Sequence, residues 1–201
     1  MADPHDGVGS TQPGHYGAAT TGVVLAEMSV AAAWNVQGDP SHASFTDAVQ
    51  RRFGVALPLA PGGTTRTSAL TALWLGPTSW LLIAGNASPS NEFAAMRDAL
   101  NDAGGALFDV SASRVGWTLS GPRAADVLAK GCPLDVHPRA FPAGACAQSV
   151  YGHSNVLIAR HPDPPAFTLL VARSFARDMW HSLCVASAPY GFDVAAPAAI
   201  R

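Results

Sequence analysis

Asp135 and His137, in the run LDVHPR, are the residues of this chain best suited by type to acid–base work, because a carboxylate can orient an imidazole and fix its proton. The absence of a nucleophile nearby argues against it. The two side chains are expected to satisfy turn amides instead, with Arg139 beside them available to an acidic group in this chain or on a neighbour. Cys132 directly precedes Pro133 and is nucleophilic only if nearby positive charge depresses its pKa. Lys130 is close in sequence, yet a buried, inert thiol is the expectation. His153 reads as an exposed turn residue between two apolar strands, and His181 as a solvated residue on the polar side of a helix. His5 and His15 have no neighbouring ligands and read as solvated. Trp74 and Trp80 bracket a turn and have the shape to stack on a ligand ring, but core or interface packing is expected of tryptophans in apolar strands. No residue is assigned as catalytic, cofactor-binding or metal-ligating.

Motif chemistry is equally sparse. A flavin or nicotinamide enzyme places a glycine-rich turn between strand and helix so that backbone N–H groups meet the pyrophosphate. The chain holds no GxGxxG run, no P-loop and no nucleophile elbow. Its nearest approach, Ser120-Gly121-Pro122, puts a proline where an N–H donor is needed.

The elements around these residues read as scaffold. Leu107–Val110 and Arg114–Leu119 are expected as a hairpin across the turn Ser111–Ser113, with Val115, Trp117 and Leu119 alternating as in a half-buried strand. Pro122 suits a first helical position, Ala124, Val127 and Leu128 share one helical face, Asp126 and Lys130 sit four apart on another, and Gly131 fits the left-handed residue after the helix. Upstream, a strand over Val30–Val36 ends near Gly38-Asp39-Pro40. A short helix follows, preceded by Ser44 or Thr46 and closed by Gly54, with Phe45, Val49 and Phe53 spaced four apart. Leu70–Leu75 and Trp80–Ala84 form a hairpin, and Ser88-Pro89 opens a helix through Ala103 with Phe93, Met96 and Leu100 on one face. Downstream come a hairpin of Cys146–Tyr151 with Asn155–Arg160, a last strand Phe167–Val171, and a last helix Ser174–Ala188. This order predicts an α+β fold with mainly antiparallel sheets and packed helices, not a doubly wound sheet. Residues 1–22, poor in large apolar side chains, are expected as a flexible tail, 23–190 as a single α+β domain, and 191–201 as a C-terminal tail.

At 201 residues the chain can bury a substantial core. Hydrophobic residues make up 48% and charged residues only 13%, so the polar surface is thin and coverage by a partner is expected. A compact monomer whose Ala, Gly and Pro inflate the apolar count is the alternative. A net charge of −2 with no basic tract argues against nucleic acid. Cys132, Cys146 and Cys184 are too widely spaced for a disulfide framework or zinc site and fit a reducing compartment. The start lacks the pattern of a signal peptide, and Ala69–Ala84, the most apolar region, is too short and too broken at Gly76-Pro77 to span a bilayer. A cytoplasmic protein with no membrane partner is expected.

The run DVSASRVGWTLSGPRAADVLAKGCPLDVHPRAFPAGACAQ strongly resembles the gamma subunit of bacterial heterotetrameric sarcosine oxidase, through the ordering SGPRAxxVLAKGCPLDxHPRxFPxGxCAQ. The runs WNVQGDP, FGVALPLAPG and ALWLGPTSWLLIA are similar to the same family, which extends the resemblance from about Ala31 to the last helix. DVS followed by a strand and GPRAADVL is also similar to the folate-binding domain of glycine-cleavage T-proteins, which implies that fold. The gamma-subunit resemblance implies a four-chain cytoplasmic assembly that oxidatively demethylates sarcosine to glycine, forms hydrogen peroxide and passes the one-carbon unit to tetrahydrofolate. FAD, FMN, NAD, zinc and tetrahydrofolate would then belong to partner subunits. This chain would stabilise the alpha subunit by direct contact, with beta and delta subunits in the same complex, and related complexes acting on other N-methyl amino acids use similar chains. The alternative implied by the T-protein likeness is a stand-alone folate-dependent aminomethyl- or formyl-transferase-like module, for which Asp109 is the one acidic candidate in the motif.

Overall fold

A computed structural model describes residues 12–85, 92–162 and 165–199. Along them lie β1 (Gly14–Tyr16), β2 (Val23–Ser29), β3 (Ala32–Gln37), α1 (Ala43–Phe53), β4 (Thr64–Arg66), β5 (Leu70–Gly76), β6 (Ser79–Ala84), α2 (Phe93–Asp102), β7 (Ala106–Asp109), β8 (Arg114–Ser120), α3 (Ala124–Ala129), β9 (Cys146–Tyr151), β10 (Ser154–His161), β11 (Ala166–Ala172), α4 (Ala176–Ser187) and β12 (Phe192–Ala199). The strands form two sheets, one of 7 in the order β1-β12-β2-β8-β11-β10-β9 and one of 5 in the order β4-β5-β6-β3-β7. Neighbours are antiparallel except β12 with β2.

Side-chain alternation sorts the strands into layers. Trp117 and Leu119 of β8, Val156 and Ile158 of β10, and Leu169 and Val171 of β11 pack against Val127 and Leu128 of α3 and Met179, Trp180 and Leu183 of α4. Trp34, Ala72, Trp80 and Leu82 of the smaller sheet pack against Phe45, Val49 and Phe53 of α1 and Met96 and Leu100 of α2. Residues of the opposite parity, Ala33, Leu73, Leu81 and Ile83 from one sheet and Met28, Leu157, Ala159 and Leu170 from the other, meet between the sheets. The result is four layers, helix, sheet, sheet, helix. Central strands covered on both faces must be apolar at every position, which explains runs such as SWLLIA and AFTLLVA that do not alternate. The α+β class with mainly antiparallel sheets holds.

The expected hairpin over residues 107–119 does not. β7 pairs with β3 and β8 with β11 and β2, so the turn carries the chain from one sheet to the other. A 3₁₀ turn at Ser111–Ser113 makes the crossing. The Asp109 carboxylate accepts hydrogen bonds from the Ser111 N–H (2.9 Å) and hydroxyl (2.6 Å), and Ser111 Oγ accepts the Ala33 N–H at 2.9 Å. Helix α3 starts at Ala124, two residues after Pro122. Gly131 lies outside the left-handed region; a Cβ there would sit 2.8 Å from the Tyr151 ring, so close packing explains this glycine. Asp126 pairs with Arg123 at 3.0 Å rather than with Lys130. Ser88-Pro89 lies outside the described residues.

The tail assignments also need correction. Within 191–201, expected as a tail, Phe192 and Val194 of β12 are buried in the helix-side core, and Phe167–Val171 is therefore not the last strand. Alanine and proline at the other positions of FDVAAPAA hide that alternation. Of residues 1–22, 1–11 lie outside the described residues, while β1 pairs with β12 and Tyr16 stacks on Phe192 at 5.5 Å. Residues 17–22 cross the end of α4, with N–H groups of Ala18 and Gly22 donating to the carbonyls of Ala188 (3.1 Å) and Tyr190 (3.0 Å). Gly191 sits at this crossing with φ 64° and ψ 138°, a conformation reserved for glycine, and a Cβ would strike the carbonyls of Ala18 and Thr20.

His15 holds the same edge. Its Nδ1 lies 2.6 Å from Asp193 Oδ1 and its Nε2 2.8 Å from the Ala18 carbonyl, and the Thr21 hydroxyl donates to Asp193 Oδ2 at 3.1 Å. Both ring nitrogens thus face acceptors, an arrangement that only the doubly protonated imidazolium satisfies. The Asp193 hydrogen bond, then that of Ala18, raises the His15 pKa above its ordinary 6.5.

Two outcomes are expected. Gly191→Ala should destabilise the protein by about 1–3 kcal/mol through backbone strain alone, with a lower urea midpoint as the readout. A raised folded-state pKa gives His15 a contribution that is complete below the unfolded value and lost as pH rises through the folded one. Amide exchange in β1, corrected for its intrinsic pH dependence, should therefore accelerate from pH 6 to pH 9, and Asp193→Asn should flatten that trend.

Candidate functional site

The structure does not assemble the residues that sequence singles out. Asp135 Oδ1 accepts the His137 N–H at 2.9 Å and His137 Nδ1 accepts the Arg139 N–H at 3.3 Å, so each side chain serves a backbone amide two residues on. Asp135, His137 and Arg139 are all exposed. Cys132 is buried, its Sγ donating to Ser149 Oγ at 3.4 Å. The Lys130 ammonium points elsewhere, to the Ala186 carbonyl at 2.6 Å and over the Tyr190 ring at 4.2 Å. Burial pushes the Cys146 thiol up to about 11, which keeps it protonated near neutrality. All three cysteines are buried and none forms a disulfide.

Trp80 is fully buried with its Nε1–H on the Pro58 carbonyl at 2.8 Å, and Trp74 is half-buried in the same core. His153 and His181 are exposed. Asp109 is engaged by Ser111, and His15 by Asp193, while His5 lies outside the described residues. Among the described residues no group of three or more His, Cys, Asp or Glu is placed to hold a metal ion.

A different place stands out. Where the smaller sheet ends at Leu75, the inner face of the larger one continues uncovered, leaving a groove of about 630 Å³. Arg114 opposes Ala172 across β8 and β11, and Asn155 opposes Val150 across β10 and β9, so these four line its floor. Val150 is 38% exposed, and Phe175, in the turn before α4, is 43% exposed at the wall. Phe175 is held by its neighbour: Arg173 Nε–H donates to the Ala112 carbonyl at 2.7 Å, tying the turn before α4 to the turn before β8. Gln148 Nε2–H donates to the Leu75 carbonyl at 2.9 Å and closes the inner end.

No Asp or Glu lines the groove, and among the described residues no ion pair involves Arg114. β9 is also the edge of its sheet, bonded to β10 on one side. Its start is tied down by the Cys146 N–H on the Gly62 carbonyl at 2.6 Å. Sequence reasoning missed Arg114, Val150 and Phe175. The alternation of Cys146, Gln148 and Val150 marks one face of β9, but only non-local strand order shows that this face is left open.

Besides Cys146, the inner layer buries the imidazole of His161 away from the groove. His161 Nε2 and Thr168 Oγ1 share a hydrogen bond at 2.7 Å. Burial, and secondly the Arg66 guanidinium, lowers the His161 pKa below 6.5.

Comparison with known proteins bears on the whole chain. Residues 37–189 match the model of the "Sarcosine oxidase, gamma subunit family". The sarcosine oxidase subunit gamma of Corynebacterium sp. (strain P-1) is 34% identical over 177 residues, which cover 87% of this chain and 85% of that one. A chain of the heterotetrameric sarcosine oxidase from Corynebacterium sp. U-96, solved in complex with pyrrole 2-carboxylate, superposes with a TM-score of 0.75 at 31% identity, covering 85% of this chain and 86% of that chain. Glycine cleavage system aminomethyltransferase T from Bartonella henselae superposes with a TM-score of 0.61 at 15% identity, covering 89% of this chain and 48% of that one; this likeness concerns the fold.

The His161 environment sets an acid limit on stability. A depressed histidine pKa means that the unfolded chain takes up the proton first, so stability falls as pH drops below about 6.5 and stops falling below the folded-state value. Because His15 contributes in the opposite sense, the His161 effect is read as a difference: the urea midpoint of the wild type relative to that of His161→Gln should decrease between pH 7.5 and pH 5.

Proposed function

The chain belongs to the sarcosine oxidase gamma subunit family, and from that premise we propose that it is the gamma subunit of a heterotetrameric oxidase that demethylates sarcosine. Its task is to bind and stabilise the alpha subunit, alongside beta and delta subunits in one cytoplasmic complex. Oxidation to glycine and hydrogen peroxide, and transfer of the one-carbon unit to tetrahydrofolate, are performed by partners that carry FAD, FMN, NAD and zinc. The observation that carries this reading is the likeness, over most of both chains, to a chain from a solved heterotetramer.

The local geometry supports a non-catalytic role. The acidic and imidazole side chains that sequence nominates each serve a neighbouring backbone amide or an edge strand. The buried thiols match a reducing compartment. Among the described residues no helix is long and apolar enough to cross a membrane. A stand-alone folate-dependent transferase is not favoured, because Asp109, its one candidate carboxylate, is bonded to Ser111 at the crossing between the sheets.

Co-expression with its genomic neighbours tests the reading. The isolated chain should be colourless and fail to bind tetrahydrofolate at micromolar concentration, whereas a large flavoprotein should co-purify with it and lose yield when it is omitted. Tetrahydrofolate binding by the isolated chain would overturn the assignment. In the assembled complex, His137→Ala should leave turnover within about twofold of wild type, as befits an exposed side chain that serves a neighbouring backbone amide.

A further inference from the structure

We propose that the groove between Leu75 and Phe175 receives an extended, carboxylate-bearing segment of the large partner subunit, laid beside β9 with its acid on Arg114. The inference rests on the gamma-subunit reading and adds the surface and the chemistry of the contact.

Three features converge on this occupant. The first is charge. Among the described residues Arg114 is the one charged residue of the lining, and no carboxylate accompanies it. Covering an unpaired guanidinium is costly unless the covering group brings an anion, so an occupant that fills this groove must supply one. Guanidinium geometry favours a carboxylate, which it can grip with two parallel hydrogen bonds. The second is the pair of apolar side chains. Among the described residues Leu59, Phe108, Val150, Phe175 and Val185 are the large hydrophobic residues left exposed, and two of these five flank the same groove.

The third feature is backbone. Among the described residues β9 has a strand neighbour on one side only; with the Cys146 N–H held by the Gly62 carbonyl and the Gly152 N–H by that of Gly131, the stretch of its other edge at Gln148 and Val150 offers N–H and C=O groups to an added strand. Main-chain pairing supplies affinity, and side chains at alternate positions of the added strand reach the floor. Gln148 keeps its Oε1 as an acceptor there while its Nε2–H is held by Leu75. Phe175 is already fixed by the Arg173 tie, so little ordering cost is incurred on docking. A second copy of this chain is a poorer fit: groove against groove brings guanidinium to guanidinium, with no acid from either lining.

The test uses the co-expressed complex, with the tagged large subunit as bait. Val150→Asp and Phe175→Asp should each weaken capture by about tenfold or more, as expected of apolar anchors. Arg114→Glu should weaken it further, Arg114→Lys should restore much of the loss, and Val185→Asp, exposed on α4, should behave as wild type. Circular dichroism of each purified variant checks folding. Independently of any loss of stability, a benzophenone amino acid in place of Phe175 should cross-link to the large subunit, at a peptide containing Asp or Glu. Groove variants that fold and are captured like wild type would overturn the proposal, as would a cross-link to a second copy or to another subunit, or no cross-link. Failure of the wild-type chain to be captured at all would instead remove the gamma-subunit reading on which it rests.

Discussion

Burial of the larger sheet between two different partners governs this structure. Its outer face needs α3 and α4, and its inner face needs the smaller sheet; either layer alone would leave a row of Leu, Val and Phe in water. Between the sheets, Leu73, Leu81 and Ile83 meet Leu157 and Leu170, all almost fully buried. At about 25 cal/mol per Å² of apolar surface, that contact is among the main terms holding the layers in register. Seven strands cannot be covered by five, however. The mismatch falls at Leu75, and beyond it the inner face of β8, β11, β10 and β9 stays open. The groove is thus a geometric consequence of unequal sheets, not a local irregularity.

The ends of the chain solve the corresponding problem at the other edge. β12 runs parallel beside β2, and β1 covers β12 in turn. The glycine at 191 lets residues 17–22 pass close over the end of α4, and the His15–Asp193 pair fastens the covering strand. One edge of the sheet is therefore covered by three residues of β1 and an exposed ion pair, whereas among the described residues no strand lies beside β9, whose ends are tied to the carbonyls of Gly62 and Gly131. Bare strand edges are aggregation-prone, which gives a chain with only 13% charged residues reason to keep such edges short.

How much of this was legible depended on whether the signal was local. Phe45, Val49 and Phe53 at helical spacing, and the turn at Gly76-Pro77, announced α1 and the β5–β6 hairpin because each contacts its own neighbours in sequence. The crossing at Ser111 was misread as a hairpin turn. Two strands joined by three residues normally pair, and nothing within residues 107–119 reveals that Ala33, 78 positions away, bonds Ser111. β12 was missed because only Phe192 and Val194 carry its pattern, diluted by alanine and proline. Family motifs were legible for a different reason: they are strings of residue types, readable without any folding step. The candidate site was the least legible part, since an open face is a property of sheet order.

The polar groups follow the same division between local and non-local demands. Asp109, Asp135 and His137 each take an amide two residues away, and Lys130 reaches α4's last turn at Ala186. Each thereby spares the backbone an unmet hydrogen bond, and each is drawn away from a cleft. Catalysis needs the reverse, side chains released from local bonds and converged on one point in a site that excludes water. Here the convergent surface instead sets a guanidinium, with no ion pair among the described residues, and two exposed apolar side chains beside a partly open strand edge. Those are the components of recognition: apolar area for affinity, a charge that rejects occupants without an acid, and a backbone edge that fixes direction. The fold is like that of an aminomethyltransferase, and the chemistry on this surface is suited to holding another chain.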